Sequence, residues 1–183
     1  MIISIVKSKK QTHLGITPEF VSVLSQNHYT VLIEGRAEEE KMRAYLNVGG
    51  YIINAREELL DRGDLIIKLD APDENDIEYA HGETKMFFAK SAGITGPIIK
   101  QMLAQKISFI NYSDLPGFAN RAIDERSNVE FSNCALPFVL KLAAKGMRAL
   151  VDDETLREAL VLMSGKMYHF KLASRFGYPC YEF

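Results

Sequence analysis

Residues 63–72 read GDLIIKLDAP, and their apolar run predicts a strand from Asp64 to Leu69. The run is nearly continuous rather than alternating, which is typical of a strand that is buried on both faces of a sheet. Pro72 has no backbone N–H and stops the strand. A strand of this kind needs other strands beside it and helices above and below it.

Short apolar runs recur on both sides of this stretch and alternate with helical patterns. Thr17-Pro18-Glu19 is a helix start, in which Thr17 caps the helix, Pro18 suits its first turn and Glu19 favours the positive end of its dipole. The repeated alternation predicts an α/β fold, with a mostly parallel sheet and helices on both faces. The predicted strands are 2–6, 29–33, 51–53, 64–69, 86–89 and 107–112, and the predicted helices start near residues 18, 38, 56 and 95.

The character of the chain changes after the predicted strand at 107–112. Residues 113–128 are polar and irregular and are interpreted as a connecting loop. An amphipathic helix is predicted from Ser132 to Met147, with Pro137 tolerated in its first turn. A further helix is predicted from Asp152-Asp153 through Met163, and a last one through Phe176. These C-terminal helices are expected to pack back on the sheet.

Composition excludes several classes of protein. The 183 residues carry a net charge of −2 with both signs interspersed, which argues against a nucleic-acid binder. No apolar run approaches the roughly 20 residues needed to cross a bilayer, and the N-terminal MIISIV is too short for a signal-peptide core, so a cytoplasmic location is expected. Cys134 and Cys180 fit neither a disulfide framework nor a metal knuckle and are expected to be buried, inert thiols.

The motifs that hold common cofactors are missing from the sequence. No GxGxxG or P-loop occurs, and the paired glycines Gly49-Gly50 follow a predicted helix rather than opening one. No HExxH or cluster of Cys and His occurs either. We therefore expect no metal, and no NAD bound by this chain alone.

Two groups of stretches resemble one family of oxidoreductases. HLGITPEFVSVLSQNHYTVLIEG (13–35), GDLIIKLDAP (63–72) and HGETKMFFAKSA (81–92) resemble the N-terminal domain that alanine dehydrogenases share with nicotinamide nucleotide transhydrogenases. SNCALPFVLKLAAKG (132–146) and SGKMYHFKLASRFGYP (164–179) are similar to the C-terminal segment of alanine dehydrogenases.

The resemblance has consequences for the domain organisation. In the family a dinucleotide-binding domain lies between these two groups, where this chain has only the loop 113–128. The resemblance therefore implies a single substrate domain over 1–183, built from 1–112 and 129–183. Its expected fold is a flavodoxin-like three-layer sandwich with C-terminal helices, as in the catalytic domains of formate and glycerate dehydrogenases. NAD would come only from a partner chain.

The resemblance also marks candidate site residues. It places His13 where the family has a substrate-binding arginine, and Lys90 about where the family has its acid/base histidine. Lys68 matches the first lysine of the family's Lys-Val-Lys-Glu-Pro motif, whereas Asp70 replaces the second, which binds the keto acid. A carboxylate at that position should repel a carboxylate substrate. Asn133 matches an asparagine that lies close to substrate in the family.

Each candidate has a structural alternative. His13 could be an ordinary loop histidine, Lys90 a solvated surface lysine, and Asp70 part of a turn. Asn133 could instead cap backbone N–H groups near the start of its helix.

Three functions remain open from the sequence. The first is a domain without dehydrogenase activity of its own that binds a small anionic metabolite, such as a keto or amino acid, or serves as a non-catalytic partner. The second is one half of a split oxidoreductase, completed by a separate NAD-binding chain. The third is a structural module that forms homo-oligomers. In each case neither nucleic acid nor a membrane is an expected partner.

Overall fold

A computed structural model describes residues 1–8, 14–35, 39–80, 82, 85–118 and 128–183. Strands and helices alternate along the first part of the chain, as predicted. The strands are β1 (Ile2–Val6), β2 (Thr30–Glu34), β3 (Gly50–Ile53), β4 (Leu65–Lys68), β5 (Met86–Ala89), β6 (Ser108–Asn111), β7 (Leu160–Met163) and β8 (Lys166–Met167). The helices are α1 (Pro18–Gln26), α2 (Glu39–Asn47), α3 (Arg56–Arg62), α4 (Glu74–Tyr79), α5 (Gly96–Ala104), α6 (Asn128–Lys145), α7 (Ala149–Asp152), α8 (Glu154–Glu158) and α9 (Phe170–Phe176).

The strands form one sheet in the order β3-β2-β1-β4-β5-β6-β7-β8. Neighbouring strands from β3 to β6 run parallel, whereas β7 and β8 are antiparallel to their neighbours. The direction in which the chain adds strands reverses between β1 and β4. In open parallel sheets, the crevice beyond the carboxyl ends of the strands at such a reversal is the usual place for a ligand.

Helices cover both faces of the sheet, so the predicted three-layer α/β architecture is confirmed. One apolar core joins the sheet to α1, α2, α6, α7 and α8. The opposite core joins it to α3, α4, α5 and α9. Residues Leu65 and Ile67 of β4 face the first core, and Ile66 faces the second, which explains why the strand is apolar throughout.

Local signals explain where several helices begin and end. The hydroxyl of Thr17 accepts a hydrogen bond from the backbone N–H of Phe20, which confirms it as the cap of α1. Asp73 and Asp76 form a reciprocal capping box at the start of α4. Thr95 occupies the cap position of α5, but its side chain makes no capping hydrogen bond.

The prediction of a continuous helix from Asp152-Asp153 through Met163 was wrong. The helix α8 ends at Glu158, and Leu160–Met163 forms β7, which pairs with β6 and turns back into β8. Ser164 and Gly165 both have positive φ (52° and 75°), as the tight turn of a hairpin requires. The helical pattern was misleading because Leu160 and Leu162 are also spaced correctly for a buried strand.

The start of α6 was also placed too late. The helix begins at Asn128 rather than Ser132, so Pro137 lies in its interior and not in its first turn. Proline has no N–H for the carbonyl four residues earlier, which here belongs to Asn133. Asn133 lies within the helix, so the alternative in which it caps the start of α6 does not hold.

Three smaller expectations also need revision. Tyr112 was predicted to be in a strand but opens a 3₁₀ turn that ends at Asp114. Cys180 was expected to be buried and is exposed, and Cys134 is only partly buried. The predicted loop 113–128 is described only at 113–118 and at residue 128.

None of the helices in the described parts of the chain is long and apolar enough to span a membrane.

Candidate functional site at the carboxyl edge of the sheet

The carboxyl ends of β1, β2 and β4 bring charged side chains together at the point where the strand order reverses. Glu34 ends β2 and Lys68 ends β4, and both side chains are buried. The Ser8 hydroxyl, just beyond β1, donates a 3.0 Å hydrogen bond to Asp70, just beyond β4. The parallel register therefore gathers residues from distant parts of the sequence into one polar cluster.

Lys68 lies at the centre of this cluster and is almost completely buried. Its side chain is 1% exposed, and its ammonium lies 2.5 Å from a carboxylate oxygen of Asp76. The same Nζ lies 3.3 Å from Asp73 and 3.4 Å from Asp70 and donates to the carbonyl of Ala71 at 3.1 Å. The charge of Lys68 is thus compensated entirely from within the chain.

Arg56 on α3 connects this cluster to β2. Its guanidinium donates to Asp76 at 2.6 and 3.1 Å and to both oxygens of Glu34 at 2.8 and 3.1 Å. Burial alone would lower the pKa of Arg56, but the carboxylates of Asp76 and Glu34 raise it above its ordinary value. Glu34 also accepts the backbone N–H of Lys7, so the ion pairs tie α3 to the ends of β1 and β2.

An open cleft of about 430 Å³ lies beside this network, between the loop after β4 and the start of α5. Its charged lining is acidic, since Asp70, Asp73 and Glu74 all face it. The remaining lining residues are neutral: Ala71, Pro72, Asn75, Ala92, Gly93, Thr95 and Ile98. The described lining therefore offers no cationic side chain to an anionic ligand.

The opposite face of the sheet carries a different set of candidates. By the two-residue alternation of a strand, Lys90 follows β5 on the side of Phe88, which packs in the core that includes α6. Lys90 is partly exposed and forms no ion pair with any residue that the structure describes. On α6, Asn133 is exposed, and Pro137 frees its carbonyl from the usual helical partner.

An aromatic cluster packs between the end of β5 and the first turns of α6. Tyr112 lies 5.8 Å from Phe88 and 5.1 Å from Phe131, measured between ring centroids, and Phe118 contacts both Tyr112 and Phe131. The Tyr112 hydroxyl donates to the carbonyl of Leu69, and burial raises the pKa of the phenol well above its ordinary value. Tyr112 is therefore a neutral packing residue that joins the chain beyond β4 to α6 within one core.

The described part of the first family stretch, LGITP (14–18), contacts the stretch FSNCALPF (131–138). The buried hydroxyl of Ser132 accepts the backbone N–H of Thr17 at 3.0 Å. Asn133, next in α6, is thereby held near the loop that precedes α1.

A second polar group fixes α9 against the sheet. The Asp114 carboxylate lies 3.2 Å from Nε2 of His169 and accepts from the Asn111 amide at 2.6 Å. The other ring nitrogen of His169, Nδ1, accepts the backbone N–H of Leu172 and caps α9. Since both ring nitrogens are engaged, this His–Asp pair is a structural contact and not a free acid/base pair.

Comparison with known proteins decides the family. Residues 5–129 match the family model described as alanine dehydrogenase/PNT, N-terminal domain, which covers more than half of the chain. The chain belongs to this family. No curated protein sequence gives a significant match.

Solved structures of the alanine dehydrogenase/PNT family have the same fold. A chain named L-alanine dehydrogenase superposes with a TM-score of 0.77 at 13% identity, over 97% of this chain and 99% of that one. A transhydrogenase from Sinorhizobium meliloti superposes with a TM-score of 0.52 at 16% identity, over 83% of this chain and 43% of that one. Identities this low support the fold alone, and the chain spans less than half of the transhydrogenase.

Four of the five candidate positions suggested by the resemblance to this family lie in the described structure, and they fall into two pairs. Lys68 and Asp70 lie together on the face covered by α3, α4 and α5, whereas Lys90 and Asn133 belong to the α6 side. His13 lies outside the described residues. Among the parts of the chain that the structure describes, no group of three or more His, Cys, Asp or Glu is placed to hold a metal ion.

Sequence reasoning missed three residues of the charged network around Lys68, namely Asp76, Glu34 and Arg56. Asp76 was not singled out, although Asp73 and Asp76 have the spacing of a capping box directly after Pro72. Glu34 carried a weaker signal, as a charged residue at the end of the apolar run YTVLI. Arg56 had no signal, because its pairing depends on which strands are neighbours.

Proposed function

We propose that this chain is a substrate-type domain that binds a small anionic metabolite, of the keto or amino acid kind, at the carboxyl edge of its sheet. It would not catalyse hydride transfer alone. Lys90 and Asn133 would contact the anion, together with His13. Any NAD would be supplied by a separate chain, as the absence of a GxGxxG motif suggests.

The observation that carries this proposal is that Lys68 and Lys90, both at the carboxyl edge of the sheet, differ in how their charges are compensated. Lys68 is enclosed by carboxylates, so it has no charge to offer a ligand. Lys90 is partly exposed and without an ion pair among the described residues, and it follows a parallel strand at the edge where such folds bind ligands. An ammonium without an ion pair in the described structure, on the same side of the sheet as the exposed amide of Asn133, is suited to a carboxylate.

The test is isothermal titration of the purified chain with pyruvate and with alanine. Binding of either by the wild-type chain is expected, with affinity at least tenfold weaker in Lys90→Gln. The matched control is Lys100→Gln, which removes an exposed lysine of α5 on the opposite face and should leave binding unchanged. Absence of heat with both compounds, or equal affinity in Lys90→Gln, would refute the proposal.

A split enzyme is the second candidate, and the similarity to a transhydrogenase over 43% of that chain is the observation that favours it. In this case a separately encoded NAD-binding chain would dock near the loop between β6 and α6. Co-purification of such a chain from the native cell is the expected result. A chain that purifies only with copies of itself would instead favour an oligomer-forming module.

A further inference from the structure

The side chain of Asn111 connects the ends of β5 and β6. Asn111 is the last residue of β6, is 3% exposed and pairs through its backbone with Ala89, the last residue of β5. The strand β6 stops there, because Tyr112 opens a 3₁₀ turn. The side chain continues the connection, since Oδ1 of Asn111 accepts the backbone N–H of Ser91 at 2.9 Å. The chain that leaves β5 is therefore held as far as Ser91.

Lys90 lies between these two fixed points. Side chains alternate along an extended chain. Ala89 packs in the core that includes α5 and α9, so the side chain of Lys90 is directed to the α6 side. This direction depends on the contact at Ser91, because a lysine at the start of an unpaired loop could turn to either side of the sheet edge.

Asp114 determines which end of the Asn111 amide faces Ser91. Nδ2 of Asn111 donates to the Asp114 carboxylate at 2.6 Å. An ionised carboxylate only accepts hydrogen bonds, so the NH₂ group must face Asp114, and the amide oxygen is left for Ser91. Asp114 in turn lies 3.2 Å from Nε2 of His169. The Asn111 amide is thereby fixed at both ends.

We propose that Asn111 is a positioning residue of the anion site, which directs Lys90 toward the ligand without contacting the ligand itself. The inference rests on the proposed function, because it concerns the cation assigned there. Ile110 packs in the core that includes α6, so the next side chain, that of Asn111, lies on the other face of the sheet, where it is buried. A ligand on the α6 side can therefore be affected by Asn111 only through the chain at 90–91.

The experiment is titration with pyruvate of the full chain carrying Asn111→Ala, which removes the acceptor for Ser91. Affinity should fall about fivefold or more, because the ammonium of Lys90 is no longer held in one direction. The matched control is Ser4→Ala, which also removes a buried hydrogen bond, from the Ser4 hydroxyl to the carbonyl of Leu59 at 2.7 Å. Ser4 lies in β1, which β4 separates from β5, so this control should leave the affinity unchanged.

The dependence of binding on salt distinguishes positioning of a charge from a general loss of structure. Attraction between an ammonium and a carboxylate near the surface weakens as salt is added. Between about 20 and 300 mM NaCl, the affinity of the wild-type chain should fall more steeply than that of Asn111→Ala, because the variant has lost the directed charge. Equal slopes would show that Asn111 does not act through Lys90 and would overturn the inference.

An exchange of the two side chains keeps the test decisive if Asn111→Ala does not fold. In Asn111→Asp with Asp114→Asn, the new carboxylate still accepts from Ser91, and the new amide donates to it while accepting from His169. Net charge and volume are preserved, so affinity should stay within about twofold of the wild type. Asn111→Asp alone places two carboxylates together and should bind more weakly. An exchange variant that binds no better than Asn111→Asp contradicts the inference.

Hydrogen exchange of the Ser91 amide follows the contact without any ligand. It should be about tenfold faster or more in Asn111→Ala and return to the wild-type rate in the exchange variant. Faster exchange with unchanged affinity for pyruvate would show that the contact does not serve binding. No heat with the wild-type chain refutes the proposed function and this inference together, whereas wild-type binding that Asn111→Ala leaves unchanged refutes the inference alone.

Discussion

Asp76 is the carboxylate that the buried Lys68 and the partly buried Arg56 share at the carboxyl edge. It lies against Lys68 at 2.5 Å and Arg56 at 2.6 Å, and its own side chain has no exposure. Replacing a whole buried ion pair by apolar residues is often neutral, but removing one partner leaves a buried charge without compensation. Substitution of Asp76 should therefore lower the free energy of unfolding by far more than its position on a short helix suggests.

Substitution Asp76→Ala should lower the free energy of unfolding by about 3–5 kcal/mol, because Lys68 loses its closest counter-charge. Urea unfolding at neutral pH measures the change. Glu58→Ala is the matched control, since Glu58 pairs with Arg62 at an exposed position and its loss should cost no more than about 1 kcal/mol. Equal effects of the two substitutions would mean that the buried network contributes little.

At the scale of single residues, sequence reasoning identified positions better than contacts. Lys68 and Asp70 were placed correctly at the end of a buried strand because apolar runs and prolines are local signals. The pairing of Arg56 with Glu34 and Asp76 was not predictable, since it joins residues 22 and 20 positions apart through strand order. Their roles in binding stay predictions.

At the scale of elements, a polar contact between the N-cap residue of α9, His169, and Asp114 joins this helix to the chain that follows β6. His169 caps α9 with one ring nitrogen and faces Asp114 with the other. Burial alone would raise the pKa of Asp114, but hydrogen bonds from His169 and Asn111 hold it below its ordinary value. The attachment of α9 should therefore weaken in acid.

The lowered pKa has a defined consequence for stability. The contribution of Asp114 is complete above the unfolded-state pKa of about 3.9 and is lost as the pH falls through the lower folded-state value. Wild-type protein should be more stable than Asp114→Asn at pH 7, and this advantage should shrink below about pH 4.

Urea unfolding between pH 7 and pH 3 gives the comparison. A difference between the two proteins that stays constant with pH would show that ionisation of Asp114 does not stabilise the attachment of α9.

Elements that local sequence signals specify were predicted well, whereas elements that depend on pairing with a distant strand were not. Runs such as YTVLI and the Thr17-Pro18 helix start correspond to β2 and α1, because burial and capping act over a few residues. The β7–β8 hairpin was missed because LVLM suits a helix and a strand equally. Leu160–Met163 forms a strand because it pairs with the edge of β6. That edge comes from a distant part of the sequence, so no local pattern reveals it.

At the scale of the whole molecule, one sheet contains strands from both segments of the chain, 1–112 and 129–183. β7 and β8 come from the second segment and extend the sheet beyond β6, while α6 covers strands of the first. The two segments therefore share both apolar cores. We expect them to unfold together, as a single cooperative unit.

The substitution Leu162→Ala tests this coupling. Leu162 is fully buried in β7, so its truncation should cost about 2–5 kcal/mol in the free energy of unfolding. Hydrogen exchange at the amides of β1, which β4, β5 and β6 separate from β7, should report an opening free energy that is lower by the same amount. Val151→Ala, at an exposed position, should change neither quantity by more than about 0.5 kcal/mol. Unchanged exchange in β1 would show that the segments unfold separately.

The position of Tyr112 has a consequence for spectroscopy. The chain contains no tryptophan, so its intrinsic fluorescence comes from tyrosine. Tyr112 is the tyrosine whose ring packs between Phe88 of the first segment and Phe131 of the second, while its hydroxyl is bonded to the chain beyond β4. Any event that lifts α6 from the sheet changes the surroundings of this ring. The chain thus contains its own optical reporter for separation of its two segments.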